Sequence, residues 1–327
     1  MKTKSIHFIL LFVVTSLLSI NAQDLKFNAN RSFKIVQFTD IHACPSNPET
    51  QISIQMINEV LDAEKPDLVV LTGDIVTEAP VKKGWDMVTD PIIKRNIPFA
   101  VSFGNHDDEK DLNRATLSKL VAAYPGCLFV DQVENVKGFG NYTLPIKTSS
   151  NNNIAAVLYC MDSNAYSTIK GVKGYGWFGH DQVNWYLQQS FAFTKANKGK
   201  PLPALAFFHI ALPEYNQAYN TIATGTRLED ECNPKINTGM FTAMLEAGDV
   251  MGTFVGHDHD NDYIANLYGI ALTYGRFSGS KTTYTNMENG ARVIVMKEGE
   301  RSFDTWIRLK GDRTIQKVTF PEGLSKK

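Results

Sequence analysis

The stretch Phe99-Ala100-Val101-Ser102-Phe103-Gly104-Asn105-His106-Asp107 decides how the rest of the chain is read. Its first five residues form a mostly apolar run of strand-forming type, and Gly104 marks the point where the backbone turns. Asn105, His106 and Asp107 then arrive together at the strand end. Side chains that carry chemistry often sit on such loops, held by a rigid scaffold.

Working outward, the same arrangement recurs upstream. Residues 34–39 alternate like a strand and run into Asp40-Ile41-His42, and residues 68–71 run into Thr72-Gly73-Asp74. An amphipathic helix is expected over residues 50–64 and another over 85–95. This β-α-β-α-β order predicts an α/β fold with ligands beyond the carboxyl ends of the strands. Downstream the pattern predicts a helix over 112–124, then strands at 127–130, 141–144 and 154–159. A glycine- and aromatic-rich loop at 171–179 leads into a helix over 181–194. A strand at 205–208 ends at His209, and a long connection covers 210–237. A helix over 238–247 precedes a strand at 253–255 that ends in Gly256-His257-Asp258-His259. Paired strands follow, through Ile264, Ala271, Tyr274, 292–296 and 305–309. Neither a repeat nor a linker divides residues 23–327, which read as a single domain.

The composition sets outer limits. Of 327 residues, 43% are hydrophobic, enough for a sizeable core, and the formal net charge is −1. There is no basic surplus of the kind that favours nucleic acid or an anionic membrane. The start, Met1-Lys2-Thr3-Lys4, is basic; residues 6–20 are mostly apolar, and Ala22 offers a small residue for cleavage. That layout predicts a signal peptide over 1–22, export to the periplasm or the exterior, and no membrane attachment after cleavage. The apolar run is short for a span of about 20 residues. The four cysteines form no Cys-x-x-Cys pair, which argues against a structural zinc site. Cys127 and Cys160 lie in or beside apolar stretches and are expected to be free thiols.

Histidine placement carries the functional signal. Of seven histidines, five (His42, His106, His209, His257 and His259) fall at predicted strand ends, beside Asp40, Asp74 and Asn105. Mixed imidazole and oxygen donors suit Mn, Fe, Zn, Co or Ni better than calcium. In extended chain, Asp40-x-His42 and His257-x-His259 would each point two donors the same way. Asp258 would then point away from them. His180, at a predicted helix start, reads as structural.

These blocks, Asp40-Ile-His42, Gly73-Asp74, Gly104-Asn105-His106-Asp107, His209 and Gly256-His257-Asp258-His259, resemble those of the calcineurin-like metallophosphoesterases, in the family's order. Gly256 to Asp262 and Gly174 to Phe178 are further similar to the purple-acid-phosphatase-like branch. Thr77 stands where purple enzymes carry a tyrosine and His42 where they typically carry glycine, so an Fe(III)-tyrosinate centre is not implied. The resemblance implies a four-layer α/β/β/α sandwich of two mixed sheets flanked by helices. It implies two divalent or mixed-valence transition-metal ions (Mn, Fe, Zn or Co): one held by Asp40, His42 and His259, the other by Asn105, His209 and His257, with Asp74 shared. The reaction it implies is hydrolysis of a small phosphomonoester by in-line attack of metal-bound hydroxide. His106 would be the general acid, with Asp107 orienting it or keeping it protonated. A phosphodiesterase acting on nucleotides or lipid headgroups is the alternative enzyme, and a non-catalytic binding scaffold with the same fold is the alternative of another class. Tyr175 and Arg276, with Glu214 and Tyr215, are candidate substrate contacts.

Overall fold

The computed structural model describes residues 24–324, so the segment read as a signal peptide lies outside the described residues. In chain order the elements are β1 (Ser32–Phe38), α1 (Thr50–Glu64), β2 (Leu68–Thr72), α2 (Val81–Ile93), β3 (Phe99–Ser102), α3 (Arg114–Ala122), β4 (Tyr142–Lys147) and β5 (Ile154–Cys160). Then come α4 (His180–Ala196), β6 (Ala204–Phe207), α5 (Tyr215–Ala218), β7 (Ile222–Thr224), α6 (Met240–Ala247), β8 (Val250–Val255), β9 (Ile264–Leu267) and β10 (Ile270–Tyr274). Three long strands close the fold: β11 (Gly290–Lys297), β12 (Phe303–Leu309) and β13 (Arg313–Phe320).

The strands form two mixed sheets, ordered β13-β12-β11-β1-β2-β3 and β4-β5-β6-β8-β10-β9-β7. In the first, β1, β2 and β3 run parallel, with Ile35 opposite Leu68 and Val69 opposite Phe99. In the second, β5, β6, β8 and β10 run parallel. Alternation along a strand assigns each side chain to one face. In β6, Leu205 and Phe207 join the core shared with the first sheet, while Ala204 and Ala206 pack with Trp185, Tyr186 and Met244 of α4 and α6. Helices α1 and α2 cover the outer face of the first sheet through Met56, Ile57, Trp85 and Val88. The result is the expected α/β/β/α layering.

Two expectations fail locally. Residues 127–130 form no strand: Cys127 makes only an isolated bridge to Phe99, and the chain leaves the sheet so that Phe129 can pack on Phe103 and Tyr142. Strand β13 is not predicted at all, because its polar alternation and the left-handed Gln316 (φ 54) break the strand signature. The thiols of Cys127 and Cys160 are free.

Phe254 joins the sheets. It is fully buried, stacks on Phe207 at 5.2 Å within its own sheet and meets Phe303 of β12 at 5.6 Å. Phe254→Ala would leave a cavity at that seam, and the expected loss is about 3–5 kcal/mol of unfolding free energy in a urea titration. A loss below about 1 kcal/mol would show that the sheets do not depend on this contact.

Candidate metal centre

Each polar block follows a parallel strand: Asp40 and His42 after β1, Asp74 after β2, Asn105 and His106 after β3, His209 after β6, and His257 and His259 after β8. The first two loops run side by side, with backbone hydrogen bonds Asp40 N to Gly73 O (3.0 Å), His42 N to Asp74 O (2.9 Å) and Ala43 N to Ile75 O (2.9 Å). The backbone here is not extended. Asp40, His42, Asp74 and His257 have φ of 53°, 46°, 51° and 81°, a region that non-glycine residues enter at a cost of about 1–3 kcal/mol each. The donors therefore converge through left-handed turns, correcting the expectation from extended chain. The glycines preceding them permit close approach. A Cβ on Gly104 would lie 2.2 Å from Asp74 Oδ1, and one on Gly256 would lie 2.5 Å from Asp40 Oδ2.

Six buried donors form two triads, Asp40/His42/His259 and Asp74/His209/His257, with the ligand atoms of each within 4.8 Å of one another. Asp74 Oδ2 lies between them, 3.2 Å from His209 Nε2 and 3.8 Å from His42 Nε2. That is the position of a carboxylate shared by two ions. The imidazoles are aimed from behind. His209 Nδ1 is 2.8 Å from Thr72 O and His259 Nδ1 is 2.8 Å from Tyr284 O, which leaves Nε2 as the inward nitrogen in each. Asn105 donates Nδ2 to the Tyr166 hydroxyl (3.2 Å). Its Oδ1, like Nε2 of His257, is buried without a hydrogen-bond partner. His42 Nε2 and His259 Nε2 face each other at 3.1 Å. Orphaned acceptors and crowded imidazoles at one point are costly without a cation, and nitrogen and oxygen donors of this kind suit a pair of transition-metal ions. The residues fit the group that the blocks imply.

Asp107 takes a different part from the one expected. Fully buried, it accepts from the backbone N–H of Asp74 (3.0 Å), Gly104 (2.8 Å), Ile75 (2.8 Å) and Val76 (3.3 Å). All its bonds are to main chain, and none is to the imidazole of His106. That contact belongs to Glu109, whose Oε2 lies 2.7 Å from His106 Nδ1. Glu109 Oε1 in turn accepts from the Tyr166 hydroxyl at 2.9 Å. Sequence reasoning missed both residues; Glu109, three positions after His106 in a charged run, gave only a helical-turn spacing as a signal.

Arg276 is also reassigned. It ion-pairs with buried Asp262 at 2.5 Å and donates to Glu288 O, so it braces the second sheet. Tyr215 is a core residue bonded to Thr253, and Glu214 accepts from Asn237. Tyr175 does reach the centre, its ring edge-on to His257 at 4.3 Å. Asp258 turns away and accepts from Tyr274 Oη (2.5 Å) and Cys232 N. His180 is exposed at the start of α4.

Charge is unevenly distributed across the centre. Burial presses the pKa of His42 down to about 3, and burial with the charge of His209 holds His257 well below the usual imidazole range. Burial disfavours the imidazolium of His209 as well, but the adjacent Asp74 carboxylate outweighs it and pushes that pKa up to about 10. Burial, with Asp74 nearby, raises Asp107 to about 6.

Two sheets that converge buried oxygen and imidazole donors on one edge define a scaffold for a pair of metal ions. Residues 33–261 match the calcineurin-like phosphoesterase family, and the chain belongs to that family. It is 34% identical over 296 residues to a protein named "Probable inactive purple acid phosphatase 14" from Arabidopsis thaliana, covering 79% of this chain and 73% of that one. It is 32% identical over 340 residues to "Phosphatase DCR2" from Saccharomyces cerevisiae, covering 92% of this chain and 57% of that one. Among solved structures it shares its fold with a dimetal phosphatase from Danio rerio, at TM-score 0.63 and 12% identity, covering 90% and 99% of the two chains.

Because the Asp74 carboxylate pushes the His209 pKa up to about 10, an ion at Asp74/His209/His257 is expected to displace a proton from His209 at pH 8. Calorimetric metal titrations at pH 8, in two buffers of different ionisation enthalpy, are expected to show release of about one proton for that ion. Affinity at this triad falls as pH is lowered. No released proton would contradict a protonated His209 in the metal-free protein. Asp107→Ala would leave four backbone donors unpaired and is expected to lower both unfolding free energy, by about 2–4 kcal/mol, and retained metal. Metal content equal to wild type would remove Asp107 from the support of the centre.

Proposed function

We propose that this protein is an exported, metal-dependent phosphatase that hydrolyses small phosphomonoesters. The observation that carries the reading is the pair of buried atoms without a hydrogen-bond partner, Asn105 Oδ1 and His257 Nε2, beside the Asp74 carboxylate that lies between His209 and His42 of the two triads. When bound, two ions in such a site activate water and neutralise phosphoryl charge. The chain's own contribution is position. Asp40 and Asp74 accept from backbone N–H groups and the rings of His209 and His259 are fixed by backbone carbonyls, so these donors need little rearrangement to bind.

His106 is no part of either triad. Its ring lies 5.9 Å from that of His42 and is 39% exposed, open to a substrate. Glu109 on Nδ1 orients the ring, which leaves Nε2 to donate a proton to the departing alkoxide.

One observation favours the diesterase as a second reading. Among the described residues, no Lys or Arg hydrogen-bonds or ion-pairs with any of the seven donors. A diester presents one negative charge to this surface and a monoester up to two. Export rests on the composition of residues 1–22.

Turnover of an aryl monoester and the matching diester, by chelator-stripped protein restored singly with Mn, Zn, Fe or Co, tests the reading. Metal-restored monoester hydrolysis is expected; a diester preference would promote the second reading. His106→Ala is expected to retain metal and to lose about two to four orders of magnitude in kcat, with Glu109→Gln losing less. Unchanged turnover in His106→Ala removes the proposed acid, and metal binding without turnover of any ester would support a binding scaffold instead.

A further inference from the structure

Residues 165–176 fold back on themselves as a short arm beside the metal centre. Gly176 N bonds Ala165 O (3.0 Å), Ser167 N bonds Gly174 O (2.9 Å), and Tyr166 bridges to Tyr175 across the arm. The base is pinned by Asn164, whose Nδ2 donates to Trp177 O (2.8 Å) and to Gln182 Oε1 (2.9 Å). The arm brings two aromatic rings to the site. Tyr166 and Tyr175 stack with centroids 5.9 Å apart and planes at 23°, and Tyr175 packs its ring against that of His257.

Tyr166 is fixed at its hydroxyl, between Asn105 Nδ2 and Glu109 Oε1. That places it two hydrogen bonds from His106 Nδ1, on the side where a leaving group departs in the proposed reaction. Yet 44% of the residue remains exposed. A stacked pair bordering a proton donor is an aromatic surface with a defined orientation. The charged group bonded to this pair is Glu109, 38% exposed, while Lys170 and Lys173 lie exposed on the same arm.

We infer that the Tyr166–Tyr175 pair is the leaving-group subsite, and that it selects phosphoesters whose alcohol is an aromatic ring close to the scissile oxygen. This rests on the phosphoester reading of the site above. Ring stacking of this kind corresponds to about a three- to tenfold preference over a saturated group of equal size.

Binding, not turnover, isolates the subsite, because leaving-group acidity then plays no part. Phenylphosphonate and cyclohexylphosphonate, which cannot be hydrolysed as esters, would be titrated calorimetrically into the Mn-loaded full chain. The expected result is a three- to tenfold tighter Kd for phenylphosphonate. Tyr166→Leu should reduce that ratio to about one, while Tyr166→Phe, which keeps the ring and loses the hydroxyl, should preserve it and lower kcat through the freed Glu109. Circular dichroism and metal content of each variant confirm that it is folded and loaded. Equal affinity of wild type for the two phosphonates, binding of neither, or an unchanged ratio in Tyr166→Leu overturns the subsite. Preferential phenylphosphonate binding without turnover of any ester would leave the subsite standing and overturn the phosphatase reading. Ester turnover without that preference would do the reverse.

Discussion

The Asp107 carboxylate is the constraint on which the centre depends. By accepting from Asp74, Ile75, Val76 and Gly104 it ties the loop after β2 to the loop after β3. Those loops carry the shared carboxylate and the Asn-His pair. Asp74 then passes the constraint on, since its Oδ1 accepts from His106 N at 2.8 Å. Asp40 plays the matching part for the other sheet by accepting from His257 N. A buried carboxylate ringed by backbone donors resists displacement because each bond lost would leave an unpaired group in a dry environment.

Much of this was legible in the sequence because two periodicities and one coincidence acted together. Strand and helix alternation located β1, α1, β2 and β3 within a few residues, and polar blocks at successive strand ends marked a common edge. Local pattern does not carry information about partners distant in the chain. Asp107 and Glu109 are both acids within three residues of His106, and nothing in composition says which one faces the imidazole. The answer depends on the path of the loop after β2, which turns its amides toward Asp107. Arg276 looked available as a substrate contact because its partner, Asp262, is buried in a different loop. The left-handed turns at Asp40 and His42 were equally hidden, since neither residue type announces such a conformation as glycine does.

The relatives frame what the site adds. Likeness to the Danio rerio phosphatase at 12% identity speaks to the fold alone. In this chain the rim is aromatic on both flanks: Tyr175 lies against His257, and Tyr284 stacks on His259 at 4.3 Å. Two of the inward imidazoles are thereby sandwiched between the interior and a tyrosine, which restricts ring rotation as well as access by water.

Each triad draws on both sheets. Asp40 and His42 come from the first and His259 from the second; Asp74 comes from the first and His209 and His257 from the second. An ion in either triad is therefore a rivet through the sandwich, fastening segments more than two hundred residues apart in one case and more than one hundred and thirty in the other. Its grip adds to that of the apolar seam around Phe254 but obeys different rules, since it scales with free metal rather than with buried area. Resistance of the folded chain to proteolysis would thus depend on the metal supply of its surroundings, and the protein would persist longest where it is also equipped to work.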